Sequence, residues 1–329
     1  GIPKGALLSQ RNVMASAAVH LQHFGREAIK GHLVALPIFH VMGLTSAWAT
    51  FINGGKNVLL KQFEDKLAVQ LIDAEKLTYF GSFPPVLERV LDTAKEAGTE
   101  LESLRVVYGL EGPQNIQRLH EETSAVFWTG FGQAETTAFV TASPAAERSG
   151  SSGQATMLNS VAVVDEVDRQ LPCGEEGEIV VRGENIFLEY WEMPEATAYA
   201  QRNNWHHTGD IGRFDEDGYL WYVKRKAEKE LIKTGGENVY PGEVENVLLK
   251  HPEIKECCVI GVPDKTWGEA VKAICVCSDG VKLSLDAVRD FVGEKIAGFK
   301  KPRQVFFVDE LPQTNNEIDR EAVKAKWGA

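Results

Sequence analysis

The chain has no apolar run approaching the roughly 20 residues that a bilayer-spanning helix needs, and no secretory leader is visible. Cysteine is scarce: Cys173, Cys257, Cys258, Cys275 and Cys277 form an odd set with no C-x-x-C pair. That excludes a disulfide-stapled scaffold and reads as a reduced, cytoplasmic protein with buried thiols. Basic charge is also short, with 35 Lys and Arg against 47 Asp and Glu for a net charge of -12. A nucleic-acid binder is excluded, because affinity for phosphate backbones rests on clustered cations. The acidic surplus serves solubility. No internal repeat or low-complexity tract is found.

What remains is ordinary soluble composition, 43% hydrophobic and 25% charged. A length of 329 residues argues for more than one domain. The start, GIPKGALLSQRN, lacks an initiator Met and reads as the inside of a loop, so the chain is read as a fragment or trimmed piece.

In the first half, short apolar runs alternate with amphipathic stretches. HLVALP (32–37), NVLL (57–60), LRVVYG (104–109) and AVFWTGFG (125–132) predict buried strands. Helices are predicted over 10–20, 68–74 and 85–97, and from Pro113. Alternation of this kind predicts a largely parallel sheet, with His40 and Gly43 at a strand's C-terminal end, where open α/β sheets bind ligands. After Ser143 the strand signals VAVVD, GEIVVRG and GYLWYV predict a β-rich subdomain. From Pro241 a helix, two strands, a helix, a strand and a closing helix predict a small α+β domain.

The chain is organised around His206 to Glu245. HHTGD places Asp210 at a Gly-marked turn, where two carboxylate oxygens can grip vicinal hydroxyls. GGENVYPGEVE places Gly235 and Gly236 beside a helix start, and the charged run KRKAEKELIK between them reads as a joint between two bodies. Adjacent His206 and His207 on an extended segment point to opposite sides, which argues against a shared metal. Upstream, GFGQAETT offers Phe131 to stack on a flat base, Gly132 for close backbone approach, and Glu135 to hold Mg²⁺ together with water and phosphate.

Together these motifs resemble the adenylate-forming superfamily, specifically the acyl-CoA synthetases, across nearly the whole chain. GIPKG looks like the tail of that family's phosphate loop, PIFHVMG its aromatic-pocket segment, GFGQAET its nucleotide signature and HHTGD its ribose-binding motif. Arg225 through KELIK, GGENVYP and GEVE is similar to its hinge and thioester-step loop. LPQTNNEIDR resembles the C-terminal stretch that normally carries a lysine. The resemblance implies a large AMP-binding α/β domain over 1–223, its upstream part missing and its β-rich subdomain at about 150–223. A small mobile α+β domain over 224–329 would follow.

It further implies an ATP-dependent carboxylate–CoA ligase for a fatty or other hydrophobic acid, using ATP, Mg²⁺ and CoA. A carboxylate attacks the α-phosphate to give acyl-AMP and pyrophosphate, and a thiol then displaces AMP. Lys4, Phe131, Gly132, Gln133, Glu135, Thr136, Asp210 and Arg225 would bind the nucleotide, with Glu135 on the metal. His40 would gate the carboxylate site, while Lys233 and the Gly235–Gly236 backbone would serve the thioester step. Domain rotation would separate the half-reactions, about Lys226 or Lys229. A homodimer is compatible with the sequence.

This sequence departs from the family pattern at one telling place. The usual adenylation lysine falls on Glu317, after Asn316, and losing one preorganised donor there costs roughly a hundred- to thousandfold. Either a nearby base such as Lys324 substitutes, or adenylation is slow, or this group of enzymes solves the step differently. Ala134 replaces a frequent Thr, and Leu110 and Glu111 replace a usual Gly pair. A nucleotide- or acyl-binding homologue without catalysis, and transfer to a carrier-protein thiol, are the competing readings.

Overall fold

A computed structural model describes residues 4–225, 231–278, 283–314 and 317–328. By contacts the chain divides between Lys224 and Arg225 into a large and a small unit. The hinge candidates Lys226 and Lys229 lie outside the described residues, as does Asn316.

The large unit is built on a seven-stranded sheet. Five strands run parallel in the order Lys56–Leu59, Gly31–Val34, Tyr79–Ser82, Val106–Gly109, Val126–Gln133. Ala138–Pro144 and Gln154–Ala155 then add antiparallel at one edge. Burial on both faces explains why the central strands read as unbroken apolar runs. On one face Phe80, Val107 and Phe127 pack with Leu87, Val90 and Leu91 of helix Val86–Ala97. On the other, Tyr79 and Tyr108 pack against helices Gln10–Phe24 and Val41–Ile52.

The β-rich subdomain is a four-stranded antiparallel sheet in the order Leu220–Arg225, His206–Phe214, Gly177–Gly183, Asn159–Val164. Phe131 and Val140 of the main sheet form one apolar cluster with Val163, Ile179, Val181 and Leu220. That cluster seats the subdomain against the antiparallel edge, so the signature strand and the Thr-Gly-Asp strand share one core.

The small unit is a five-stranded sheet around the hairpin Ile254–Asp264 and Gly268–Cys277. Helices Pro241–Leu248 and Leu285–Gly293 cover one face through Val244, Leu248, Val288 and Val292. Val323 of helix Arg320–Trp327 packs on the other. Among the cysteines, all free, Cys257, Cys258 and Cys275 are buried, Cys277 is half-buried and Cys173 is exposed. Burial pushes the Cys275 thiol up to about 12, leaving it unreactive at neutral pH. Among the described residues no helix is long and apolar enough to cross a membrane.

Candidate active site

HHTGD is a bulge inside a nine-residue strand, His206–Phe214, and not the turn expected from its glycine. Its partner strand pairs Val180 with His207 and Glu178 with Ile211. Ile179 therefore faces the three residues Thr208, Gly209 and Asp210. Bulges of this kind re-aim side chains beside functional sites. Gly209 has φ 73°, in the left-handed region where a Cβ is costly, which is why glycine occupies the apex. The Thr208 hydroxyl donates to Ile179 O (2.7 Å) and accepts from Asp210 N (3.1 Å), stapling the bulge.

Asp210 is only 2% exposed. A buried carboxylate needs donors, and Gln133 supplies one: its Nε2 donates to Asp210 Oδ2 (2.5 Å) and to Thr208 O (3.0 Å). His206 Nε2 donates to Gln133 Oε1 (3.2 Å). The two sequence motifs, far apart in the chain, are thus joined side chain to side chain.

Gly132 admits no side chain, because a Cβ would fall 1.8 Å from Ala138 O. That close approach lets the strand fold over into the Ala134–Thr136 turn. Thr136 is fully buried; its hydroxyl accepts from Gln133 N (2.8 Å) and donates to Ala138 O (2.7 Å). It shapes the turn that carries Glu135. Phe131, 8% exposed, packs in the core under the subdomain.

Glu135 is half-buried, and its Oε1 accepts from the Tyr190 hydroxyl (2.7 Å). Lys4 places its Nζ 5.2 Å from the centre of the Tyr190 ring. A continuous path therefore runs from Lys4 through Tyr190 to Glu135, two residues along from Gln133, and on to Asp210. A single half-buried carboxylate suits Mg²⁺ carried in on phosphates, since that ion keeps water and phosphate oxygens as most of its ligands. Among the described residues no group of three or more His, Cys, Asp or Glu could cage a metal.

His40 caps helix Val41–Ile52, its Nδ1 accepting from Met42 N (3.2 Å), with its ring edge-on to Phe83 at 6.2 Å. Gly43 follows because a Cβ would meet Pro37 O at 2.4 Å.

In the small unit, Lys233 is exposed on strand Ile232–Thr234, its backbone N–H donating to Glu269 Oε2 (2.6 Å). Gly235 and Gly236 have φ 59° and 85°. Gly235 lies against Trp267, where a Cβ would be 2.7 Å from the indole, and Arg303 lies 4.5 Å from the centre of that ring. Glu317 begins a short strand, Glu317–Ile318, paired with Gln313–Thr314. The stretch is anchored by Arg320, which donates to Val259 O (2.5 Å) and Glu245 Oε1 (2.6 Å). Arg225 ends strand Leu220–Arg225.

Sequence reasoning missed Glu178, Tyr190 and Trp267. Glu178 was signalled by an acid at the start of an otherwise apolar strand; the other two left no local signal, because their roles depend on residues distant in the chain.

A doubly covered α/β sheet with a buried acid, a glycine-tightened turn and a lysine along one path is an arrangement that suits a nucleotide. Residues 1–191 match the family of AMP-binding enzymes, and residues 243–317 match the AMP-binding enzyme C-terminal domain. The chain belongs to this family, the adenylate-forming superfamily that includes the acyl-CoA synthetases. It is 33% identical over 335 residues to a feruloyl-CoA synthase of Amycolatopsis sp, covering 100% of this chain and 68% of that protein. It is 34% identical to an indoleacetate–CoA ligase of Aromatoleum aromaticum, covering 95% and 62%. The fold is similar to that of o-succinylbenzoate CoA synthetase from Bacillus subtilis, solved as a double mutant bound with its product analogue. That likeness has a TM-score of 0.90 and 29% identity, covering 98% of this chain and 66% of that one. The amide bond synthetase McbA from Marinactinospora thermotolerans gives a TM-score of 0.90 and 30% identity, covering 99% and 67%. The chain thus spans about two thirds of the length of these relatives.

Proposed function

We propose that the chain forms part of an ATP-dependent carboxylate–CoA ligase that works through an acyl-adenylate. The observation that carries this reading is the hydrogen bond from Gln133 to buried Asp210, which unites the nucleotide signature with the ribose acid. Asp210 would accept from both ribose hydroxyls; hydrogen bonds to a charged acceptor contribute roughly 1.5–3 kcal/mol each. Lys4 would meet the triphosphate as a point charge, Glu135 would hold Mg²⁺, and Arg225 would support the ribose. When bound, Mg²⁺ would neutralise phosphate charge. His40 would stand at the carboxylate entrance. The Gly235–Gly236 loop and Lys233 would serve the thioester step.

The acid is proposed to be fatty or otherwise hydrophobic, in keeping with relatives named for feruloyl, indoleacetate and fatty-acid substrates. Free cysteines support a reducing, cytoplasmic setting. The test is pyrophosphate release by the intact protein with ATP, Mg²⁺, CoA and a panel of carboxylates. Carboxylate-dependent pyrophosphate and AMP are expected, and their absence across the panel rejects the reading. Glu317 favours one competing reading, a nucleotide- or acyl-binding homologue that has lost adenylation. Supplying a carrier-protein thiol instead of CoA separates the acceptor alternatives.

A further inference from the structure

The bulge at Thr208–Asp210 strips a backbone donor from the strand ladder, since Ile179 alone faces three residues. An unpaired N–H in such a buried place is costly. Glu178 meets that need: its Oε1 accepts from Gly209 N (2.9 Å). Its other oxygen accepts from His207 Nδ1 (3.0 Å) and from Arg202 Nη2 (3.3 Å). Glu178 is 6% exposed, and His207 is fully buried. Asp168 closes the group from outside, with an Oδ2 3.6 Å from Arg202 Nε and 3.8 Å from His207 Nε2.

A carboxylate buried this deeply is retained only when its oxygens are matched by donors. Here every partner named belongs to the bulge or braces it. Gly209 is the glycine whose left-handed φ turns Asp210 toward Gln133. Glu178 thus fixes the bulge from behind while Gln133 holds it from the front, and the acid between them has little freedom to turn.

The geometry points to Glu178 as a positioning residue for the ribose acid, with His207 and Arg202 holding its second oxygen. The inference rests on the proposed nucleotide role of Asp210. Glu178 touches no ligand itself; it acts by keeping the Thr208–Gly209–Asp210 backbone in the one shape that presents both Asp210 oxygens.

The discriminating probe is a nucleotide that lacks what Asp210 grips. Calorimetric titration would compare AMP with 2′,3′-dideoxy-AMP on the 329-residue chain and on Glu178→Gln and Arg202→Met. The unaltered chain should prefer AMP. Glu178→Gln keeps an acceptor for Gly209 but sets an amide against His207 and Arg202. It should weaken AMP by about tenfold or more, the usual scale for a lost outer partner of a ligand-holding group, and leave dideoxy-AMP nearly unchanged. Arg202→Met should move in the same direction by less. If folded Glu178→Gln retains the preference for AMP, or if both nucleotides weaken equally, the inference is overturned. Should Glu178→Gln fail to fold, an unchanged preference in Arg202→Met overturns it instead. No AMP binding by the unaltered chain would remove the nucleotide reading and this inference together, whereas binding with an unaltered preference in the variants removes this inference alone.

Discussion

Replacing Gln133 with leucine removes the donor that joins the two halves of the site while nearly conserving volume. The amide gives Asp210 Oδ2 a 2.5 Å hydrogen bond and Thr208 O a 3.0 Å one, and it accepts from His206. Loss of one hydrogen bond to a charged group costs about 1.5–3 kcal/mol, and a buried carboxylate left short of donors pushes toward the upper end. Gln133 is half-buried, so water replaces part of the loss. A cost of about 2 kcal/mol in a unit of this size corresponds to a fall in Tm of about 4–8 °C. Gln133→Leu should therefore melt several degrees lower by circular dichroism, and AMP should bind more weakly by calorimetry because Asp210 loses its orienting partner. Melting within a degree of the unaltered chain, together with unchanged AMP affinity, would refute the coupling between the motifs.

Acid sensitivity should come from two buried histidines in the large unit. Burial lowers His20 to about 4 and His32 to about 3 from an ordinary 6.5, although the carbonyl of Ser16 and the amide of Asn57 partly oppose it. The folded chain keeps both rings neutral while the unfolded chain protonates them, so their contribution is complete above pH 6.5 and is lost as pH falls toward 4 and then 3. At about 1.4 kcal/mol per unit, His20 alone accounts for on the order of 3 kcal/mol by pH 4, and urea melts that stay flat between pH 7 and 4.5 would refute this. Gly132→Ala should unfold or markedly destabilise the chain, since its Cβ would overlap Ala138 O; a Tm change within about 2 °C would show that the turn can relax. Glu317→Lys should bring no gain in carboxylate-dependent pyrophosphate release if the enzyme is adapted to its acid, and a gain of about tenfold or more would favour the dormant-binder reading.

Most of the parallel sheet is legible in the sequence because its strands are buried on both faces. VVYG and HLV read as apolar runs bounded by turns, and the amphipathic helices between them have clear spacing. The Thr-Gly-Asp segment misleads for a physical reason: its bulge and buried polar residues hide the strand, and glycine there marks an apex within a ladder. The signature offers several hydroxyls, and only the fold shows that the Thr136 hydroxyl bonds within the turn, to Gln133 N and Ala138 O. Tyr190 is placed by its pairing with Glu135, distant in the chain, so no local pattern could nominate its role; Glu178 shows locally only as an acid opening an apolar strand, and its pairing with distant Gly209 supplies the rest.

A crystal structure of the chain with AMP tests the central claim most directly. Both ribose hydroxyls should lie within hydrogen-bonding distance, about 2.5–3.0 Å, of Asp210, with the phosphate directed toward Glu135 and Lys4. AMP bound elsewhere, or with its ribose turned away from Asp210, would contradict it.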